Sequence, residues 1–156
     1  MKSVLAVILL FAFSSCRNIT YETILIPEGY TGDVIIIFNQ KGKVKRKFEG
    51  KRKVYEIPKD GILLTEFKDE GKGFAYVDYF YVDSLGHRTK LDKYSIRNHE
   101  HEGLGVYGGT IGVLGNNELP YYLFYVGNKR DYLNEDKLQG QNELYNKIKL
   151  KTGVDF

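Results

Sequence analysis

The chain has no tryptophan, three prolines and a single cysteine in 156 residues. One cysteine excludes a disulfide framework and a multi-cysteine zinc site. With 42% hydrophobic and 28% charged residues, collagen-like and low-complexity chains are excluded too. Long apolar runs are as scarce. The longest, Val4 to Phe13 (VLAVILLFAF), is about half of the roughly 20 residues that a membrane span needs, so a polytopic membrane protein is excluded. What remains is enough chain to bury a core in one domain.

That one apolar run follows Lys2 and precedes Phe13-Ser14-Ser15-Cys16. A short positive start, a ten-residue apolar stretch and small residues before a cut form a secretory signal peptide. Small residues at the two positions before the only cysteine also resemble the bacterial lipobox, with Phe13 where leucine is usual. The resemblance implies cleavage before Cys16, leaving residues 1–15 as signal peptide, and diacylation of the Cys16 thiol by palmitate-type chains. One acyl chain anchors marginally and two anchor stably. Arg17 stands where an aspartate would signal inner-membrane retention, which favours the outer membrane. Residues 16–20 then form a lipidated tether, and residues 21–156 a single β-rich domain.

From Tyr21 onward short β-type segments alternate with glycine-bearing turns. The candidate strands are 21–26, 33–39, 43–48, 51–57, 62–67, 74–83, 88–96, 105–114 and 121–127. This spacing predicts a mainly β protein, an antiparallel sandwich or partly open barrel. Val34-Ile35-Ile36-Ile37-Phe38 is apolar on both faces, so its sheet must be covered on both sides. The period changes near the C-terminus. Asn134 fits an N-cap, and Leu138, Leu144, Tyr145 and Ile148 fall on one stripe, predicting one C-terminal α-helix over about 134–150 that ends near Gly153.

Charge is unevenly placed. Residues 41–53 (KGKVKRKFEGKRK) carry eight basic residues against Glu49, a net +7, while the rest of the mature chain is −5. A two-residue turn at Glu49-Gly50 would set Lys47 opposite Arg52, Arg46 opposite Lys53 and Val44 opposite Tyr55. Like charges opposed on both faces destabilise a sheet, so the tip is expected to project into water. Lys45, Arg46, Lys47, Lys51, Arg52 and Lys53 are then candidate anion-binding residues, for an anionic envelope component or an acidic protein. Their other reading is a solvated edge that blocks sheet-to-sheet pairing. No stacking motif accompanies the charge, and nucleic acid is not an expected partner.

Few motifs carry chemistry. Gly103 to Gly108 spells GxGxxG, but more glycines and β-formers follow instead of a helix, so dinucleotide binding is rejected. The glycines mark bends or close strand packing. His99-Glu100-His101-Glu102 would point both histidines the same way on a strand, a candidate metal pair for a metal-assisted hydrolase. Its other reading is an exposed polar loop. Asp78 sits mid-strand among aromatics, either buried with a raised pKa or hydrogen-bonded to a tyrosine or the backbone. No nucleophilic triad is indicated, no cofactor is called for, and a catalytic role is less expected than a binding or structural one.

Ile24 to Gly32 (ILIPEGYTG), the strand that follows, Tyr55 to Leu63 (YEIPKDGIL) and Tyr81 to Gly86 (YVDSLG) resemble an uncharacterised family of small Gram-negative lipoproteins, a domain of unknown function, over roughly residues 22–127. The resemblance implies a membrane-anchored envelope lipoprotein and no catalytic residue. A strand ending in Ile-Pro and followed by glycine also resembles transthyretin-like sandwiches, a likeness of fold alone.

Overall fold

The computed structural model describes residues 21–69, 76–95, 102–115, 119–134 and 137–153, with the side chains of 134 and 137–141 excepted. Ten strands form two sheets. Sheet A holds β1 (Glu22–Pro27), β3 (Lys47–Glu49), β4 (Arg52–Glu56), β6 (Val77–Val82) and β7 (Arg88–Leu91), in the order β3-β4-β1-β6-β7. Sheet B holds β2 (Gly32–Ile37), β5 (Ile62–Leu64), β8 (Lys93–Tyr94), β9 (Leu104–Leu114) and β10 (Leu119–Asn128), in the order β5-β2-β10-β9-β8. Ile24, Ile26, Tyr55, Tyr79 and Tyr81 of sheet A meet Val34, Ile36, Val106, Tyr122, Phe124 and Val126 of sheet B in the main core. The mainly β, sandwich-like architecture is therefore as the sequence predicts, and neither sheet closes into a barrel.

The pairing is mixed where the sequence suggests an antiparallel sandwich. β1 runs parallel to β4 and β6, β2 to β5, and β8 to β9. Two of these pairings, β1 with β4 and β2 with β5, come from one device used twice. β1 crosses to β2 through Pro27-Glu28-Gly29-Tyr30-Thr31, and β4 crosses to β5 through Ile57-Pro58-Lys59-Asp60-Gly61. Both crossings leave sheet A at the same end and enter sheet B side by side, so the pairs are parallel in both sheets. Tyr30 ties the first crossing to β2 and β6 and packs over Gly61 of the second. Its hydroxyl donates to Asp33 O (2.5 Å), and its backbone O accepts from Tyr81 Oη (2.6 Å). Gly61 has φ +76, and a Cβ there would stand 2.0 Å from Tyr30 Oη. Only glycine fits both the backbone and the space.

The isoleucine run of β2 is buried on both faces, as its composition requires. Val34 and Ile36 face the main core, while Ile35 and Ile37 join Ile62, Leu64 and Leu114 in a second cluster on the outer face of sheet B. The C-terminal helix α2 (Lys137–Thr152) covers that cluster with Ile148, fully buried, and Leu144. Lys151 secures the helix by donating to Asp60 Oδ2 (2.5 Å) and Ile62 O (2.7 Å). Gly153, φ +72, caps it by donating to Lys149 O (2.8 Å), a left-handed C-cap. Tyr145 of the predicted stripe is 44% exposed. Helix α1 (Lys129–Asn134) precedes α2, so Asn134 lies in helical backbone and is not an N-cap.

Candidate strand 88–96 is two strands. β7 belongs to sheet A and β8 to sheet B, and the switch falls at Asp92, whose O accepts from Val106 N (2.9 Å). Strands that change sheets at a bend form the corners of sandwiches.

Candidate functional site

The basic segment folds with its turn one residue later than expected. Lys47 opposes Val54, Phe48 opposes Lys53 and Glu49 opposes Arg52, so the turn is Gly50-Lys51. Gly50 has φ +59, and a tight hairpin with glycine first needs that positive angle. The one-residue shift of the turn moves each partner by two positions and keeps every side chain on its expected face. It sets Glu49 against Arg52 in place of two like charges. Phe48, 55% exposed, rests edge-on against Phe67 (ring centroids 5.3 Å). Val44, expected opposite Tyr55, instead bridges Thr65 beside β5.

Three of the six candidate anion-binding residues are engaged within the protein. Lys47 pairs with Glu56. Lys53 is buried, with its ammonium over the Phe67 ring (5.6 Å). Arg52 lies across the outer face of sheet A. Its Nε donates to Thr23 Oγ1 (2.9 Å), and its Nη2 donates to Glu22 O (2.8 Å) and Asp78 Oδ2 (2.5 Å). Lys45, Arg46 and Lys51 are exposed, and no carboxylate among the described residues pairs with them.

Asp78 is neither neutral nor bonded to a tyrosine. Lys90 reaches its other oxygen at 3.0 Å. The Lys90 hydrogen bond, with Arg52 beside it, holds the carboxyl below its ordinary range despite some desolvation. An aspartate stabilised as the anion is a poor proton donor or acceptor near neutral pH, so the general acid–base reading falls. Arg88 grips Glu49 in the same way, which depresses Glu49 as well. Arg52, Asp78, Lys90, Arg88 and Glu49 thus form a lattice over Thr23, Leu25 and Val54, all three buried. Alternating charge at these outward positions was the available signal in the sequence.

The glycine-rich segment is strand β9, with no helix after it, so the GxGxxG match has no phosphate-binding geometry. Its glycines make room for rings. A Cβ on Gly105 would meet Tyr94 at 2.5 Å, and one on Gly112 would meet Tyr121 at 2.8 Å. Gly108 (φ +76) and Gly109 (φ +121) sit where the β9–β10 register shifts, as in a bulge. Beside them Lys93, Tyr94, Ser95, Thr110 and Tyr132 line an open cleft. Lys93 Nζ reaches Tyr122 Oη (3.3 Å), which shares a buried hydrogen bond with Tyr79 Oη (2.7 Å). Burial pushes the Tyr79 hydroxyl far above its ordinary range, and the Tyr122 oxygen adds to this. Among the described residues the cleft offers one ammonium and several hydroxyls, with no carboxylate or imidazole in its lining. Sequence reading missed Lys93 and Tyr132, because only the switch at Asp92 and helix α1 bring them together.

Cys16, His99 and His101 lie outside the described residues. His87 bonds Asp83 (2.8 Å) across the β6–β7 turn. Among the described residues no three His, Cys, Asp or Glu side chains gather as a metal site, and no helix is long and apolar enough to cross a membrane.

A crystal structure of a Bacillus anthracis protein designated a lipoprotein is similar in fold, with a TM-score of 0.57 and 22% identity over 83% of this chain and 94% of that one. No curated protein matches the chain. Residues 18–136 match a family of unknown function (DUF6843), a span that takes in both Ile-Pro crossings, the charged lattice and the glycine-rich strand, and the chain therefore belongs to that family.

Proposed function

We propose that this protein is a lipid-anchored envelope lipoprotein, a binding or structural module held at a membrane by Cys16. One observation carries the reading. The sole cysteine follows a ten-residue apolar run and two small residues, and β1, a central strand of sheet A, starts only six residues later at Glu22. The anchor thus joins the fold through a short tether into its core sheet. The designation of the Bacillus anthracis protein as a lipoprotein supports the same reading. Where a cell has two membranes, Arg17 in place of an aspartate favours the outer one.

The test is fractionation of cells grown with labelled palmitate. The full chain is expected in the membrane fraction, carrying label, and a Cys16→Ser variant in the soluble fraction without it. A Cys16→Ser variant that stays in the membrane with the same label contradicts the proposal.

A further inference from the structure

The tether enters sheet A at the same end as the turn of the basic hairpin. Tyr21 O accepts from Lys53 N (3.1 Å), and Glu22 N donates to Tyr76 O (2.9 Å). The Tyr21 and Tyr76 rings lie 5.5 Å apart, and the Arg52 guanidinium sits 5.6 Å from the Tyr21 ring. At this end three aromatic side chains face solvent: Tyr21 is 42% exposed, Tyr76 51% and Phe48 55%. Next to them is the exposed Lys51 in the turn, and Arg46 and Lys45 are exposed in the segment that leads into edge strand β3.

We infer that this corner is a docking surface for the anionic phospholipid leaflet in which the anchor sits, an inference that rests on the lipidation of Cys16. Three physical arguments converge. The first is reach. Five residues, Cys16 to Thr20, span at most roughly 17 Å when fully extended, so Tyr21 stays close to the headgroups. The second is chemistry. Tyrosine rings prefer the membrane–water interface, with the ring in the apolar layer and the hydroxyl in the polar one. The third is charge. The nearby carboxylates Glu49 and Asp78 are neutralised by Arg88, Arg52 and Lys90, and Glu22 is buried with its Oε1 accepting from Tyr55. Glu66 lies beside Val44 and accepts from Gly42 N, and no carboxylate among the described residues pairs with Lys45, Arg46 or Lys51, which leaves the three to act on an anionic surface. Three such cations favour the docked orientation on the order of 100-fold at low salt. The inward-folded Arg52 and Lys53 hold the corner in shape and do not touch lipid.

The experiment uses the full lipidated chain in vesicles of phosphatidylcholine, with or without phosphatidylglycerol. Because acylation consumes the Cys16 thiol, Tyr76→Cys, or Leu85→Cys at the far end, gives one thiol for a fluorescent label. Leu85 is 80% exposed. Acrylamide quenching of the label at position 76 is expected to fall several-fold when phosphatidylglycerol is present, with no change at position 85. Either 1 M salt or the combined Lys45→Glu, Arg46→Glu and Lys51→Glu changes should restore full quenching, and the salt arm holds even if the triple variant unfolds. Equal quenching at both positions on anionic vesicles, or protection indifferent to salt, overturns the inference. Intact mass separates the two ideas. An unmodified Cys16 overturns the anchor and the docking together, whereas a lipidated Cys16 with equal quenching overturns the docking alone.

Discussion

Arg88 holds Glu49 through both guanidinium nitrogens, at 2.9 and 2.5 Å, although they stand on opposite edge strands of sheet A. Strands about 4.8 Å apart would put the edges of a flat five-stranded sheet roughly 19 Å apart, beyond the joint reach of the two side chains. The sheet is therefore curled on its outer face, and this pair closes the curl over the lattice beneath. Such a half-exposed pair stabilises a fold by about 0.2–1 kcal/mol. Arg88→Ala is expected to lower stability by that small amount in a urea titration. It should also let the Glu49 pKa rise back toward 4.5, read by NMR.

Asp78 and Glu49 both have depressed pKa values. A depressed carboxylate stabilises the fold above its unfolded pKa, and that stabilisation is lost as pH falls through the folded value. Stability should therefore decline below about pH 4.5. The double variant Asp78→Asn, Glu49→Gln should be less stable than the natural chain at pH 7 and should lose less on acidification. Parallel acid dependence of the two, measured by urea midpoints from pH 7 to 3, would contradict the lattice.

Gly61→Ala places a methyl group where Tyr30 Oη and Asp33 O already stand, on a backbone with φ +76. The expected cost is about 2–4 kcal/mol. Tyr30→Phe loses only the hydroxyl bond, about 1 kcal/mol. It also frees the site, so Gly61→Ala should cost less in the Tyr30→Phe background. Thermal unfolding of the four proteins measures the coupling.

Ile148 is the fully buried residue through which α2 reaches the outer face of sheet B. Ile148→Ala should cost about 2–4 kcal/mol and raise amide exchange in α2 and β5 before the rest of the molecule. Uniform exchange would show that the helix is not a separate layer.

The sequence made the two-sided isoleucine run, most of the strand positions and the helix end at Gly153 legible, because these follow from local periodicity and single-residue backbone preference; segment 43–46 is not strand and 88–96 divides between the sheets. The parallel pairings were not legible. They depend on two crossings, 30 residues apart, meeting at Tyr30 and Gly61, and the repeated Ile-Pro reads in one dimension only as a family signature. The hairpin turn was missed by one residue because Glu49-Gly50 and Gly50-Lys51 are both plausible turns by composition. Packing of Phe48 on Phe67 and the charge of Glu49 opposite Arg52 decide between them. The charged lattice escaped notice for the same reason: its members come from four strands, and a +7 count does not show which cations find carboxylates.

The account turns on Cys16. Intact mass and the N-terminal sequence of the chain extracted from membranes test it most directly. The account predicts a chain that starts at Cys16, lacks residues 1–15 and carries at least two acyl chains on that residue. A chain that retains residues 1–15, or one cleaved elsewhere with an unmodified Cys16, would contradict it.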